Sequence, residues 1–355
     1  IKIDFAAKAF TADGTKVVEG DVITIDGFTG NVYLGELPLE ESVLEKACSG
    51  DAKAQTEKIW QAYDRLMHHA DQVRRMRVRA NADTPDQSTN ARSRGAEGIG
   101  LCRTEHMFLG EERVLAVREM IFAETPEQEA AAYAILEPLQ RDDFVGILRA
   151  MDALPVTIRL LDPPLHEFLP NQVELAVEVA LDQERGTVDP EKVKVLQKVN
   201  ELHEMNPMLG LRGVRLGVIK PGLYAMQVRA IVQAAIALKQ EGLDPRPEIM
   251  IPLVATKPEL EQMREELEPV ATKLIADAGV DLHVEFGTMI ELPRAAETAG
   301  EIAEVADFFS FGTNDLTQTA WGFSRDDIGK FVGLYEERRL VPANPFVTID
   351  IAGVG

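Results

Sequence analysis

Two acidic residues follow two short apolar segments in the C-terminal part of the sequence. Glu291 lies at the end of the segment 283–291, and Asp315 follows the aromatic run 308–311. Such runs are typical of buried strands in a parallel sheet. Because parallel strands deliver their end residues to one edge of a barrel, we expect the two carboxylates to converge. Two carboxylates with open coordination positions suit Mg²⁺, so the sequence predicts a site for this ion.

The loop before Asp315 consists of Gly312, Thr313 and Asn314. It would leave the carboxyl end of a strand, which is where α/β folds bind ligands. The same residue types are common in turns, so the loop could instead serve only to reverse the chain. Similarly, Glu291 could cap the helix that follows it rather than bind a metal ion.

Two arginines, Arg103 and Arg159, lie near the ends of two other predicted strands. A guanidinium in that position needs a neutralising partner, because burying an unpaired charge is costly. A phosphoryl group would match the planar fork of each arginine. Glu105 or Asp162 could instead neutralise these arginines without any ligand, and the sequence leaves both interpretations open.

Two further arginines, Arg212 and Arg215, lie three positions apart in the sequence. One of them could reach the site while the other pairs on the surface, and the sequence does not decide which. The chain contains neither a G-x-x-x-x-G-K-[ST] motif nor a G-x-G-x-x-G motif that opens a helix. No nucleotide site is therefore predicted.

Strand and helix patterns alternate through the second part of the chain. Strands are predicted at 78–83, 98–105, 155–162, 248–254, 283–291 and 308–311. This alternation indicates an α/β fold, and a (β/α)₈ TIM-type barrel is the leading choice. Residues 209–213 could hold a short seventh strand and no eighth is visible, so the barrel is expected to be incomplete at its C-terminal end.

The pattern divides the chain into three regions. Residues 1–38 contain hairpin signals but cannot bury a core unaided, so they are expected to be the tail of a larger β-containing domain. Residues 39–77 are charged and helical, as expected for a linker helix. Residues 78–355 would form the barrel domain. Both the abrupt start and the abrupt end of the sequence suggest a fragment.

The composition restricts the kinds of partner. The chain has 37 basic and 59 acidic residues, a net charge of −22, which argues against nucleic acid or an anionic membrane as a partner. No apolar run is long enough to span a bilayer. The two cysteines, Cys48 and Cys102, are far apart and predict neither a disulfide framework nor a thiolate metal cluster. A cytoplasmic location fits this cysteine usage.

Four separated motifs, in order, resemble the phosphoenolpyruvate-utilising enzymes. They are 98–108, the segment that begins at Arg159, 287–293 and 311–318. The segment 159–170 resembles one member of this family in particular. Phosphoenolpyruvate synthase and enzyme I of the sugar phosphotransferase system are the alternatives within the family, and a non-catalytic phosphoenolpyruvate-binding module is the alternative outside enzymes.

The resemblance implies a phosphoenolpyruvate/pyruvate-binding barrel that takes part in phosphoryl transfer between a phosphohistidine and the enolate of pyruvate. It implies that Glu291 and Asp315 hold Mg²⁺ and that Arg103 and Arg159 bind the phosphoryl group. Residues 312–314 match positions that contact the substrate. Residues 1–38 would end the mobile phosphohistidine domain of the same enzyme, which is therefore an expected partner, and the intact enzyme is expected to be a homodimer.

Two features depart from the family pattern. None of the six histidines lies in the context of the family's phosphohistidine, and the family's catalytic cysteine has no counterpart, since Cys102 lies beside Arg103 and does not match it. No catalytic residue is therefore assigned. The chain alone is expected to bind substrate without completing the reaction.

Overall fold

The computed structural model describes residues 2–12, 14–108 and 110–355. The chain divides into two compact units, Ile1–Arg74 and Arg75–Gly355. Each unit has its own sheets, and the second unit contains all the predicted barrel strands.

The first unit consists of short antiparallel strands followed by helices. Strands β1 to β5 are Lys2–Asp4, Ala9–Ala12, Thr15–Val18, Ile23–Ile25 and Val32–Leu34. The first three form one sheet, and β4 and β5 form the predicted hairpin. The three-stranded sheet was not among the sequence-based predictions. Helices α1 and α2 follow at Val43–Cys48 and Lys58–Val73, with a 3₁₀ turn between them.

The second unit is organised around a parallel sheet. Strands β6 to β11 are Ala80–Asn81, Ile99–Arg103, Pro155–Arg159, Arg246–Ile251, Glu285–Ile290 and Phe309–Phe311. Their order in the sheet is their order in the chain, and every neighbouring pair is parallel. The sheet curls into a half-barrel surrounded by helices, which confirms the prediction of an α/β fold with an incomplete TIM-type barrel.

Helices connect and cover the strands. They are α3 Pro85–Ser93, α4 Glu111–Phe122, α5 Pro126–Ala150, α6 Gln172–Arg185, α7 Pro190–Leu202, α8 Val214–Ile219, α9 Pro221–Gln240, α10 Lys257–Ala278, α11 Pro293–Glu297, α12 Ala299–Ile302, α13 Thr313–Trp321 and α14 Val332–Glu337. Local signals fix their ends: α10 begins with a capping box between Thr256 and Glu259 and stops at Gly279 in the left-handed conformation. Among the described residues, no helix is both long enough and apolar enough to cross a membrane.

The core lies between the sheet and the surrounding helices. Ile158 of β8 and Ile249 of β9 are fully buried, and the helix α9 contributes Ile231 and Val232 to the same cluster. Burial of these side chains supplies the main driving force for folding this unit. Because the apolar strand interiors are held in this core, their polar end residues are left at one edge of the sheet.

The strand register sets the arrangement along that edge. Arg103 at the end of β7 is paired with Arg159 at the end of β8, and Ile290 of β10 is paired with Phe311 of β11. The residues that follow, Glu291 and Gly312, therefore leave the sheet at the same level. This geometry brings the predicted site residues to one side of the barrel.

The suggested seventh strand at 209–213 is wrong. Pro207–Leu209 forms a 3₁₀ turn, and residues 210–213 after it contain no strand. The amide of Gly213 donates to Asp162 O (2.9 Å), and that of Val214 donates to Pro252 O (3.0 Å). These backbone groups thus bond to the loops after β8 and β9, and they form no strand ladder.

Candidate functional site

A cavity of about 540 Å³ opens at the carboxyl ends of the strands. Six of the seven predicted site residues line it: Arg103, Arg159, Gly312, Thr313, Asn314 and Asp315. A second cavity, of about 430 Å³, lies at the opposite strand ends, around Pro155 and Arg246, and holds none of the predicted residues. The first cavity is therefore the candidate site.

Glu291, the seventh predicted residue, lies beneath the wall of this cavity and is fully buried. Its Oε1 accepts a hydrogen bond from the amide of Leu253 at 2.7 Å. Its Oε2 is buried and has no hydrogen-bond partner among the described residues. The alternative that Glu291 caps the next helix is wrong, because α11 begins at Pro293 with no side-chain cap.

The environment of Glu291 favours its neutral form in the absence of a cation. Burial is the largest cause, and the negative charges of Asp162 and Asp315 act in the same direction. Together they raise the pKa of Glu291 to about 8, although Arg159 partly opposes them. A carboxyl group held in this way will ionise when a cation takes the place of its proton.

Gly312 brings the cavity wall into contact with Glu291. Its amide donates to Ile290 O at 3.1 Å, and its carbonyl accepts from Leu316 in the first turn of α13. A Cβ atom at this position would lie 2.5 Å from Oε2 of Glu291 and 2.7 Å from Cβ of Glu291. The loop therefore does form a strand-to-helix turn, as the alternative interpretation holds, but it also lines the cavity.

We expect Gly312→Ala to destabilise the protein and to disturb Glu291. The added methyl group has no free space, and overpacking of this kind costs about 1–3 kcal/mol. Urea denaturation measures the loss. Gly300→Ala is the matched control, because Gly300 lies in α12 and a new Cβ there would have no atom within 4 Å. The free energy of unfolding of this variant should differ from that of the wild-type protein by less than about 1 kcal/mol. Equal stability of the two variants would contradict the close contact.

Arg159 is nearly buried and has two carboxylate partners. Its Nη2 donates to Glu105 Oε1 at 2.5 Å, and its Nη1 lies 2.9 Å from Asp162 Oδ2. The sequence left open that Glu105 or Asp162 neutralises this arginine without a ligand, and both ion pairs are present. Because Arg159 also lines the cavity, these partners hold a charged fork at its wall rather than remove it from the site.

Arg103 is held more loosely. Its backbone amide donates to Asp83 Oδ1 at 2.7 Å, and its Nη1 lies 3.7 Å from Asp83 Oδ2. About a third of its side chain is exposed. Asp83, which follows β6, was not predicted to belong to the site.

Arg212 and Asp162 complete the arrangement. Arg212 donates to both oxygens of Asp162, at 3.1 and 2.5 Å, and its Nη1 donates to Asp315 Oδ1 at 3.2 Å. Arg215 instead donates to the carbonyls of Leu209 and Gly210. The sequence left the choice between the two arginines open, and the structure places Arg212 at the site.

The charges that follow the strand ends do not balance. Three arginines are present, at 103, 159 and 212, against five acidic residues, at 83, 105, 162, 291 and 315, so two negative charges are in excess once Glu291 is ionised. Within the described ranges, no group of three or more His, Cys, Asp or Glu side chains is placed to hold a metal ion. Any cation bound here would therefore have few protein ligands.

Comparison with known proteins identifies the family. The model of the PEP-binding domain of PEP-utilising enzymes matches residues 57–344. The chain belongs to this family, as its motifs predict.

Curated relatives are similar to the chain over its whole length. Pyruvate, phosphate dikinase of Flaveria trinervia, a chloroplastic protein, is 48% identical over 362 residues, which cover 100% of this chain and 36% of the relative. The dikinases of Rhizobium meliloti (strain 1021) and Clostridium symbiosum are 48% and 46% identical over 356 residues, which are 37% and 38% of those proteins. The chain thus spans somewhat more than a third of the length of these relatives.

These relatives favour one member of the family over the two alternatives. The segment 159–170 resembles the dikinase in particular, and the similar proteins are dikinases. Phosphoenolpyruvate synthase and enzyme I are therefore not favoured.

Proposed function

We propose that the barrel is the phosphoenolpyruvate/pyruvate-binding domain of a pyruvate, phosphate dikinase. In the whole enzyme it would support phosphoryl transfer between a phosphohistidine and the enolate of pyruvate. The overall reaction converts ATP, pyruvate and phosphate to AMP, phosphoenolpyruvate and diphosphate. The observation that carries the proposal is the unpartnered, buried Oε2 of Glu291 beneath a cavity whose wall contains Arg103 and Arg159.

Glu291 and Asp315 would hold Mg²⁺. A buried carboxylate oxygen without a partner suits a cation, and so does the excess of two acids over the arginines at the strand ends. Arg212 engages Oδ1 of Asp315, which leaves Oδ2 for this role. When bound, Mg²⁺ would supply positive charge that lowers the free energy of the enolate form of pyruvate.

The arginines would bind the phosphoryl group. Arg103, which is loosely paired, can turn its guanidinium toward an anion, whereas Arg159 is fixed by Glu105 and Asp162. Residues 312–314 line the cavity beside Asp315 and would contact the substrate. Arg212 would hold Asp162 and Asp315 in place, because it bonds to both. The chain's own groups thus bind and orient the substrate.

The remaining assignments extend the proposal to the whole enzyme. Residues 1–38 would end the phosphohistidine domain, 39–77 would be the linker helix, and 78–355 would form the barrel domain. The phosphohistidine domain of the same enzyme would be the partner that delivers the phosphoryl group, and the intact enzyme would be a homodimer. A cytoplasmic location stays a prediction, and some of the similar dikinases are chloroplastic.

Oxalate, a planar mimic of the pyruvate enolate, tests the proposed function. Calorimetry of the 355-residue chain with oxalate should show binding in the presence of Mg²⁺ and little or none in EDTA. Equal binding under both conditions would contradict the metal assignment. No binding under either condition would contradict the substrate site as a whole.

Arg103→Lys and Arg159→Lys should distinguish binding of the phosphoryl group from binding of the rest of the ligand. Lysine keeps the charge but loses the planar fork. We expect the affinity for phosphoenolpyruvate to fall roughly tenfold, which is equivalent to the loss of one charge-assisted hydrogen bond. The affinity for oxalate should fall less. Arg149→Lys is the control, because Arg149 pairs with Glu241 on the exposed surface. Comparable losses for the two ligands would contradict this division of roles.

A further inference from the structure

Leu253 has an unusual backbone conformation next to the candidate site. It lies between β9 and α10, and its φ of 63° falls in the left-handed region that favours glycine. Within the described part of the chain, three other non-glycine residues have positive φ, Lys8, Ala153 and Arg339, and all three are exposed. Leu253 is 1% exposed. A buried leucine in this conformation must be held there by its surroundings.

The surroundings fix the turn from two sides. The amide of Val214 donates to Pro252 O, the carbonyl of the peptide group that precedes Leu253. Gly213 lies against the turn so closely that a Cβ atom on it would be 2.7 Å from Cβ of Leu253. On the other side, the side chain of Leu253 is part of the apolar core. These contacts leave the peptide group little freedom to rotate.

The consequence of this conformation is the direction of one amide. The N–H of Leu253 donates to Oε1 of Glu291 at 2.7 Å, which is the hydrogen bond that the structure gives this carboxylate. With Oε1 held, Oε2 is fixed beside Gly312 and has no partner among the described residues. A different φ at Leu253 would turn this amide away and release the carboxylate.

We propose that Leu253 is a positioning residue, whose left-handed backbone aims its amide at Oε1 of Glu291 and so presents Oε2 to a divalent cation. The inference rests on the proposed function, since it assigns Leu253 a role toward the proposed ligand Glu291. A turn that served only to connect β9 to α10 would be made as well by glycine, and it would not require a bond to Glu291. Leu253 acts through Glu291 and need not touch the ligand.

Two substitutions with similar side-chain volume distinguish the effect of the backbone conformation of Leu253 from the effect of its packing. Leu253→Ile keeps an apolar side chain, but its branched Cβ disfavours the left-handed region. Leu253→Met keeps an unbranched Cβ and should behave like the native residue. We expect Leu253→Ile to lower the apparent Mg²⁺ affinity, measured by titration at fixed oxalate, by about ten- to a hundredfold. This is the range for groups that orient metal ligands. Leu253→Met should change this affinity by less than about threefold.

A loss of stability alone must not be mistaken for this effect. Leu260→Ile, a change at a fully buried position of α10, is the control for core packing. If Leu253→Ile weakens Mg²⁺-dependent binding no more than Leu260→Ile does, the inference is overturned. Should Leu253→Ile fail to fold, Leu253→Gly decides, because glycine retains both the amide and the left-handed turn. Retained Mg²⁺ dependence in Leu253→Gly supports the inference, and its loss would assign the effect to the side chain.

An NMR measurement tests the contact without any metal ion. The amide proton of Leu253 should resonate downfield in the wild-type protein, and Glu291→Ala should move it upfield because the hydrogen-bond acceptor is lost. An unchanged shift would overturn the inference. If the wild-type protein instead shows this shift but no Mg²⁺ dependence of oxalate binding, the proposed function fails and the positioning contact stands.

Discussion

Glu291→Gln should reduce Mg²⁺-dependent binding of oxalate at least about a hundredfold. Even residues that only orient metal ligands contribute ten- to a hundredfold to affinity, so loss of a ligand should cost no less. Glutamine has the same shape and can still accept the hydrogen bond from Leu253, so the fold should persist. What it lacks is the negative charge that would face the cation. Calorimetry at fixed oxalate, titrated with Mg²⁺, measures the change.

Glu261→Gln is the matched control for this experiment. Glu261 lies on the exposed face of α10, and the same change of charge there is remote from the cavity. We expect its Mg²⁺ titration to overlay that of the wild-type protein. Oxalate binding by Glu291→Gln at wild-type Mg²⁺ concentrations would exclude Glu291 as a ligand.

The stability of the metal-free protein should depend on pH through Glu291. The pKa of this group is raised from its ordinary value of 4.5 to about 8 in the folded state. The folded protein therefore keeps a proton that the unfolded chain releases, and the free energy of unfolding falls as pH rises from about 4.5 to 8. A shift of this size limits the loss to about 4–5 kcal/mol. Removing the titrating group should abolish this part of the pH dependence.

Urea denaturation in EDTA at several pH values measures this dependence. The unfolding free energy of the wild-type protein should fall relative to that of Glu291→Gln as pH rises, because the other titrating groups cancel in the difference. Adding Mg²⁺ should stabilise the wild-type protein more at pH 8 than at pH 5, since fewer protons then compete for the carboxylate. Parallel pH curves for the two proteins would contradict a raised pKa at Glu291.

Much of the site could be predicted because its residues follow strand ends. The apolar runs before Glu291 and Asp315 identify strands, and parallel strands bring their ends to one edge. The six predicted strands are all present, although most are shorter than predicted: 283–291, for example, contains the strand Glu285–Ile290. Position along a strand was therefore enough to place Arg103 and Arg159 beside one another.

The rest of the site depends on how loops cross the edge of the sheet. Arg212 and Arg215 look equivalent in the sequence, and only the path of the chain over Asp162 directs Arg212 inward. The roles of Asp83 and Leu253 likewise depend on contacts with residues distant in the sequence. Periodicity carries no information about such contacts. It also gave no signal for the three-stranded sheet of β1 to β3, whose strands have only three or four residues.

The chain of ion pairs from Arg159 through Asp162 and Arg212 to Asp315 has a consequence for how this protein can diverge. Asp162 lies at the centre of this chain, so its loss takes one of two carboxylate partners from Arg159 and one of two from Arg212. A single change at Asp162 therefore disturbs two buried guanidinium groups at once, and a compensating change at a second position lowers this barrier. Apolar positions such as Ile249 face no such barrier, because conservative hydrophobic exchanges cost less than about 1.5 kcal/mol. The edge of the barrel should thus evolve by linked substitutions, and its interior by independent ones.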